Sequence, residues 1–112
     1  HLRRLRRTLA ERKQQAWQSL LRHMPAGVKI HHNDSGYFLW LELPEQLDAG
    51  QLSEKALTHQ ISIAPGKMFS TSNIWTPFFR FNTSWGWGER EEQAVVQLAA
   101  LIREMMLPPV TP

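Results

Sequence analysis

The chain has 112 residues, of which 42% are hydrophobic and 21% are charged, and its formal net charge at pH 7 is +3. This length accommodates one domain with a modest core and excludes a two-lobed enzyme. The sequence has no cysteine, which excludes disulfides and thiolate metal sites and favours a cytoplasmic location. No apolar run reaches the length of a membrane span and no signal peptide is recognisable, so no membrane association is predicted.

Residues 2–24 are predicted to form one amphipathic helix, because apolar residues recur at three- and four-residue spacing. The stripe consists of Leu2, Leu5, Leu9, Ala16, Leu20 and Met24, widened by Trp17 and Leu21. The first turns carry four arginines, Arg3, Arg4, Arg6 and Arg7, whereas a free helix start favours acidic residues. We therefore expect the helix to begin upstream of His1 or to pack against an acidic neighbour. Binding of nucleic-acid phosphates is the alternative, but the interleaved leucines favour a solvated or partner-facing helix side.

The rest of the chain is predicted to contain four strands (28–32, 37–43, 61–64 and 78–83) and two further helices (48–60 and 89–106). Asp48 is the predicted N-cap of the second helix, because Gln51 follows three residues later and Leu47 and Leu52 are spaced as a hydrophobic staple. Residues 33–36 form a predicted turn, and Pro65-Gly66 is predicted to end the third strand. The order indicates an α+β fold, with a small antiparallel or mixed sheet of about four strands and helices packed on one face.

The second strand is apolar on both sides. Alternation places Tyr37, Leu39 and Leu41 on one face, and Phe38 and Trp40 on the other. Neither face is therefore predicted to meet bulk water, and Trp40 is predicted to belong to the core.

The fourth strand, FFRFNT, carries a single arginine among phenylalanines. Alternation puts Phe79 and Phe81 on one face, and Phe78, Arg80 and Asn82 on the other. A buried guanidinium needs a partner, because an unpaired buried charge is costly. An internal ion pair or an exposed strand face is the structural interpretation, which spacing alone favours. The other interpretation is a binding site for a ligand carboxylate, both oxygens of which the planar fork of arginine can bind.

The sequence contains two other groups of residues that are candidates for binding sites. His31 and His32 are adjacent on a strand and point to opposite faces, so they cannot share one ion, and no metal site is predicted. Trp75, Trp85 and Trp87 lie in loops flanking the fourth strand, where they either line a pocket or contact another domain.

Five segments resemble, in order and at the family's spacing, the small C-terminal domain of fold-type I aminotransferases. They are HLRRLRRTLAERKQQAW, DSGYFLWLELP, ISIAPGKMFS, FFRFNTSW and the closing amphipathic helix. The similarity is greatest to the MocR-like subgroup, in which an aminotransferase-like domain follows a GntR-type winged-helix DNA-binding domain. The resemblance implies an aminotransferase-like subdomain over residues 1–107, as a fragment of a longer chain, and a tail over residues 108–112.

The resemblance also implies a site. Arg80 corresponds to the family arginine that binds the α-carboxylate of an amino-acid substrate or effector. Residues 65–69 resemble the segment near the active-site cleft, and Gly36-Tyr37 resembles the step that opens the inner strand. Phe69, Asn82 and Tyr37 are candidate pocket neighbours, and no catalytic residue is assigned to this chain.

The family's pyridoxal phosphate is bound mainly by the large domain. None of Lys13, Lys29, Lys55 and Lys67 lies in the family's lysine motif, so the fragment is expected neither to hold the cofactor nor to catalyse a reaction alone. The implied partners are an amino-acid ligand, the missing large and winged-helix domains, DNA through the latter only, and a second copy of the parent. The alternatives are the small domain of a genuine aminotransferase without a DNA-binding head, and an interaction module whose basic helix contacts nucleic acid or an acidic partner.

Overall fold

The computed structural model describes residues 2–31, 36–84 and 86–108. The helices and strands are α1 (Leu2–His23), β1 (Lys29–His31), β2 (Phe38–Glu42), α2 (Ala49–Leu57), β3 (Ala64–Pro65), β4 (Phe78–Asn82) and α3 (Glu89–Met106). Two single-turn 3₁₀ helices, Gly66–Met68 and Asn73–Trp75, lie in the loop between β3 and β4. The predictions for His32, residues 33–35, Trp85 and residues 109–112 lie outside the described residues. No helix within the described ranges is both long enough and apolar enough to cross a membrane.

The four strands form one antiparallel sheet in the order β1-β2-β4-β3. The central pair is β2 and β4, in a register that sets Leu41 opposite Phe79 and Trp40 opposite Arg80. The two short strands β1 and β3 form the edges. The predicted α+β class with about four strands is confirmed.

The hydrophobic core lies between one face of this sheet and the three helices. Leu39, Leu41 and Phe79 occupy alternate positions of the central strands and are fully buried. The helices complete the core with Ala16, Leu20, Leu52, Ala56, Val95, Leu98 and Ile102. The other sheet face is consequently left for different contacts, which form the candidate site.

The second helix begins as predicted and ends early. The Asp48 carboxylate accepts a hydrogen bond of 2.7 Å from the Gly50 N–H, which confirms the N-cap. The last helical residue is Leu57, not Gln60. Gln60 adopts a left-handed conformation with φ 59°, and the Ile61 N–H then donates to the Ala56 carbonyl at 2.9 Å, which closes the helix end.

The third strand differs from its prediction. Residues 61–63 belong to no strand, and only Ala64 and Pro65 pair with β4, opposite Arg80 and Phe79. The N–H of Ile61 is already used to cap α2, so the chain is still leaving the helix there. Pro65 lies within β3 instead of ending it, because an edge strand tolerates a residue without an N–H.

Two predicted apolar stripes are shorter than expected. The strand β2 begins at Phe38, so its alternation does not extend to Tyr37, which is exposed and not on the core face. In α1 the side chains of Leu2, Leu5 and Leu21 are also exposed. The part of α1 that packs on the core begins at Lys13, because the buried residues of this helix all lie from there to Leu20.

The carboxylate of Glu92 connects the start of α3 to the end of α1. Arg22 Nη2 donates to Glu92 Oε1 at 2.9 Å, and His23 Nε2 lies 2.8 Å from the same oxygen. The Trp87 indole N–H donates to Glu92 Oε2 at 3.1 Å. The hydrogen bond from Arg22, with a smaller one from Trp87, lowers the pKa of Glu92 from 4.5 to about 2.

Because of these contacts of Glu92, we expect the folded domain to lose stability in acid. The pKa of Glu92 is lower in the folded state, so its contribution is complete above pH 4.5 and is lost as the pH falls towards about 2. Glu92→Gln should lower the free energy of unfolding at pH 7 by about 1 kcal/mol, since solvent screens a partly exposed carboxylate. Urea unfolding should show that the free energy of unfolding falls less between pH 7 and about pH 3 in this variant than in the unmodified protein. Glu91→Gln is the matched control, and an equal acid effect in both variants would contradict the assignment.

Candidate functional site

The strand β4 places Arg80 on the sheet face opposite the helices. Phe79 and Phe81 point from this strand into the core, so the two-residue alternation sends Phe78 and Arg80 to the other side. Arg80 is half-buried there and lies directly across from Trp40. The predicted division of this strand into two faces is confirmed.

Aromatic rings hold the guanidinium group. Arg80 Cζ lies 3.7 Å from the ring centroid of Phe38, 4.8 Å from that of Phe69 and 5.9 Å from that of Trp40. Cation–π contacts of this kind contribute about 0.5–1 kcal/mol at exposed sites and about 2 kcal/mol when desolvated. Rings attract the cation without accepting in-plane hydrogen bonds, so the N–H fork stays suited to a carboxylate.

The loop between β3 and β4 brings Phe69 to Arg80, and it depends on a close backbone approach. Gly66 is buried, and a Cβ atom at this position would lie 2.5 Å from the Trp75 carbonyl oxygen and 3.1 Å from that of Phe78. A side chain here would push the loop off the sheet, so glycine is required at this point.

An ion pair attaches the same loop to α2. Lys67 Nζ lies 3.2 Å from Asp48 Oδ2, while Oδ1 of this carboxylate caps the helix. Burial alone would raise the pKa of Asp48, but the Gly50 N–H and the Lys67 ammonium lower it below its ordinary value. One carboxylate therefore fixes both the helix start and the turn that precedes Phe69.

An aromatic cluster supports the Arg80 face. Ring centroids of Phe69, Trp75 and Phe78 lie 5.7, 5.8 and 6.5 Å from that of Trp40. The prediction that Trp40 belongs to the core is wrong, since it is half-buried on the opposite face, where the loop covers it. Trp75 belongs to this cluster, whereas Trp87 packs beside the helical core.

A cavity of about 610 Å³ opens beside Arg80. Its wall contains all four residues singled out from the sequence, namely Arg80, Phe69, Asn82 and Tyr37. The structure thus brings these residues together, whereas their role as a carboxylate site stays a prediction.

No acidic side chain of the described residues forms an ion pair with Arg80. The ion pairs of the described part of the chain involve other cations, Arg22, His23, His31 and Lys67. Arg80 is also half-buried at a cavity, so it is not on a freely solvated strand face, and within the described ranges it has no internal ion pair.

Asn82 adds hydrogen-bond donors to the cavity. Its Oδ1 accepts hydrogen bonds of 2.7 Å from both the backbone N–H and the hydroxyl group of Ser84. The acceptor end of the amide is therefore occupied, which leaves the Nδ2 donors for a ligand on the same strand face as Arg80.

Among the residues that the structure describes, neither the histidines nor the basic start of α1 forms a site comparable to that of Arg80. His31 Nε2 lies 3.0 Å from Glu42 Oε1, an exposed pair on β1 and β2. Across the described ranges, no three His, Asp or Glu side chains are grouped so that they could hold a metal ion. The side chains of Arg3, Arg4, Arg6 and Arg7 are exposed.

Comparison with known proteins identifies two kinds of relative, although no family model matches. Over 106 residues the chain is 77% identical to the uncharacterized HTH-type transcriptional regulator YdcR of Escherichia coli, across 95% of this chain and 23% of that protein. Over 89 residues it is 30% identical to aromatic-amino-acid aminotransferase 1 of Thermococcus litoralis, across 80% of this chain and 21% of that protein. The chain thus spans less than a quarter of the length of these relatives.

Solved aminotransferases contain the same arrangement of helices and strands. The multiple substrate aminotransferase of Thermococcus profundus matches with a TM-score of 0.80 and 26% identity, across 89% of this chain and 25% of that one. LysN, the α-aminoadipate aminotransferase of Thermus thermophilus, matches with a TM-score of 0.81 and 27% identity, across 94% and 27%. The chain is a small domain of the aminotransferase-like family. The resemblance noted from the sequence, to a domain shared by aminotransferases and transcriptional regulators, is confirmed.

The aminotransferase-like family uses pyridoxal phosphate, which is attached through a lysine. In this small domain none of the four lysines lines the Arg80 cavity, and Lys67 is engaged with Asp48. The described cavity wall therefore has no lysine side chain to which the aldehyde group of the cofactor could be attached. That the isolated small domain holds no cofactor stays a prediction.

Sequence reasoning missed part of the small domain's cavity wall. Phe38, Ser62, Ile63, Ala64, Met68 and Ser84 also line it. For Phe38 a signal existed, because alternation places it on the same strand face as Trp40, and β2 pairs with β4. Met68 lies within residues 65–69, which the resemblance placed near the cleft, but no local pattern singled it out, since the path of an irregular loop is set by tertiary contacts.

Proposed function

We propose that this chain is the small C-terminal domain of a pyridoxal-phosphate-dependent, aminotransferase-like transcriptional regulator of the MocR-like kind. In this proposal Arg80 binds the α-carboxylate of an amino-acid substrate or effector. The domain covers residues 1–107, with a tail at 108–112, and it contributes orientation of the ligand rather than catalysis.

The observation that carries the proposal is the state of Arg80. Its guanidinium lies against the Phe38 ring at a cavity, and no acidic side chain of the described residues pairs with it. A half-buried cation in an apolar wall gains from a carboxylate that arrives with a ligand. The relative LysN was solved in complex with N-(5'-phosphopyridoxyl)-L-leucine, which supports an amino acid as the ligand class.

The regulatory part of the proposal follows from the HTH-type relatives. Besides YdcR, a second uncharacterized HTH-type regulator of Escherichia coli, YjiR, is 27% identical over 107 residues. We expect the parent to be a cytoplasmic homodimer that contacts DNA through its winged-helix domain. Movement of the small domain towards the large domain on ligand binding would then shift the regulator between two states.

The second candidate is the small domain of a genuine aminotransferase, which the similarity to the Thermococcus enzymes favours. The upstream sequence of the parent separates the two candidates. A basic winged-helix domain there supports the regulator, and an aminotransferase large domain with no such head supports the enzyme.

The test of the site is Arg80→Gln in the regulator-length protein. Loss of a charge-assisted contact worth about 2 kcal/mol should weaken amino-acid binding by about 30-fold. Loading with pyridoxal phosphate should be unchanged, because Arg80 is proposed to contact only the amino acid. Titration of the cofactor absorbance with amino acids measures both quantities.

The matched control is Arg90→Gln, which removes an exposed arginine on α3 outside the Arg80 cavity. This variant should bind amino acids as the unmodified protein does. Equal amino-acid affinity in the Arg80→Gln variant and the unmodified protein would refute the assignment of Arg80.

A further inference from the structure

The cavity beside Arg80 has one permanently charged group in its described wall. Lys67, whose Nζ pairs with Asp48 at 3.2 Å, and Arg12, which donates to the Ser84 carbonyl at 2.7 Å, do not line the cavity. The other polar groups of the wall are neutral, including the Asn82 amide. One carboxylate can therefore pair with Arg80, whereas a second would meet only uncharged side chains among the described lining residues.

Much of the rest of the wall consists of apolar side chains, several of which are exposed. The side chains of Tyr37, Met68 and Phe69 are 54%, 70% and 50% exposed, and all three line the cavity together with the buried Ile63. Apolar surface that lines a concave site gains from burial against an apolar ligand group. The same surface penalises a charged group, which loses water without gaining a partner.

We propose that the ligand of this cavity is a monocarboxylate with an uncharged, apolar substituent, such as an amino acid with an aliphatic or aromatic side chain. Arg80 binds the carboxylate, and Met68 and Phe69 contact the substituent. The inference rests on the proposed function, because it takes Arg80 as the carboxylate site. It adds that the wall discriminates against dicarboxylates.

The test is a titration of the ¹⁵N-labelled 112-residue chain, with the Arg80 Nε–H and the Phe69 amide as reporters in NMR spectra. The probes are 3-phenylpropionate, glutarate and 3-phenylpropanamide at equal ionic strength. The Kd of 3-phenylpropionate should be about tenfold lower than that of glutarate, a discrimination typical of an apolar contact. The amide should leave the Arg80 Nε–H resonance unchanged.

Substitutions in the loop between β3 and β4 test the role of the apolar wall. Phe69→Ser should weaken 3-phenylpropionate binding about fivefold more than glutarate binding, because loss of the ring contact with Arg80 affects both acids alike. Ile74→Ser is the matched control, because Ile74 is 69% exposed in the same loop and does not line this cavity. Met68→Ser replaces Phe69→Ser if that variant loses its native spectrum, and the same selective weakening is expected.

The outcomes separate this inference from the proposed function. Glutarate binding as tight as 3-phenylpropionate, with both acids shifting the Arg80 resonance, would overturn the ligand class and leave Arg80 as a carboxylate site. Equal binding of 3-phenylpropanamide, or no shift of Arg80 by either acid, would overturn both. Equal effects of Phe69→Ser and Ile74→Ser would overturn the role of the wall.

Discussion

Replacing Phe79 by alanine is expected to lower the free energy of unfolding by about 3–5 kcal/mol. Phe79 is fully buried in the strand that also carries Arg80, and it pairs with Leu41 at the centre of the sheet. Its removal leaves a cavity that the packed helices cannot fill without moving. The loss is a large fraction of the roughly 5–15 kcal/mol by which small domains are stable.

Phe78→Ala is the matched control, one position away on the opposite strand face. Phe78 is half-buried and contacts the rings of Trp40 and Trp75, so its truncation should cost about 1 kcal/mol. Urea unfolding followed by far-ultraviolet circular dichroism measures both variants. Similar losses at the two positions would show that β4 does not divide its side chains between a core face and the Arg80 face.

Gly66→Ala should cost about 3 kcal/mol, at the upper end of the usual range for overpacking. The added methyl group would meet backbone oxygens of Trp75 and Phe78, which cannot rotate away as a side chain can. The loop must then move, and Phe69 should leave its contacts with Arg80 and Trp40. The nuclear Overhauser effect between Phe69 and Trp40 should disappear, and carboxylate binding should weaken as well.

Gly86→Ala serves as its control, because a Cβ atom there has no described atom within 4 Å. This substitution should change the free energy of unfolding by no more than about 0.5 kcal/mol. If Gly66→Ala were as well tolerated as Gly86→Ala, the loop could not be seated on the sheet as described.

Several elements could be predicted because their signals are local. The helix α3 extends from Glu89 to Met106, as predicted from the acidic residues in its first turn and the arginine in its last turn. The Asp48 cap and the alternation of β4 are likewise encoded within a few residues. These signals were enough to put Arg80 and Asn82 on one face, and that placement is the basis of the candidate site.

The features that could not be predicted from the sequence depend on contacts between distant segments of the chain. The extent of β3 is set by where α2 releases the chain, and the left-handed Gln60 carries no glycine signal for that point. The contact of Phe69 with Arg80 requires the loop to fold back at Gly66. Periodicity within single segments contains neither piece of information, so Phe69 was identified through family resemblance alone.

The edges of the sheet have a consequence for self-association. At one margin β3 contributes only two residues, and one of them is Pro65, which has no amide hydrogen to offer an incoming strand. At the other margin β1 is three residues long, with exposed Lys29 and His31. Addition of strands from neighbouring molecules is therefore disfavoured at both margins, which should protect the domain from amyloid-like growth.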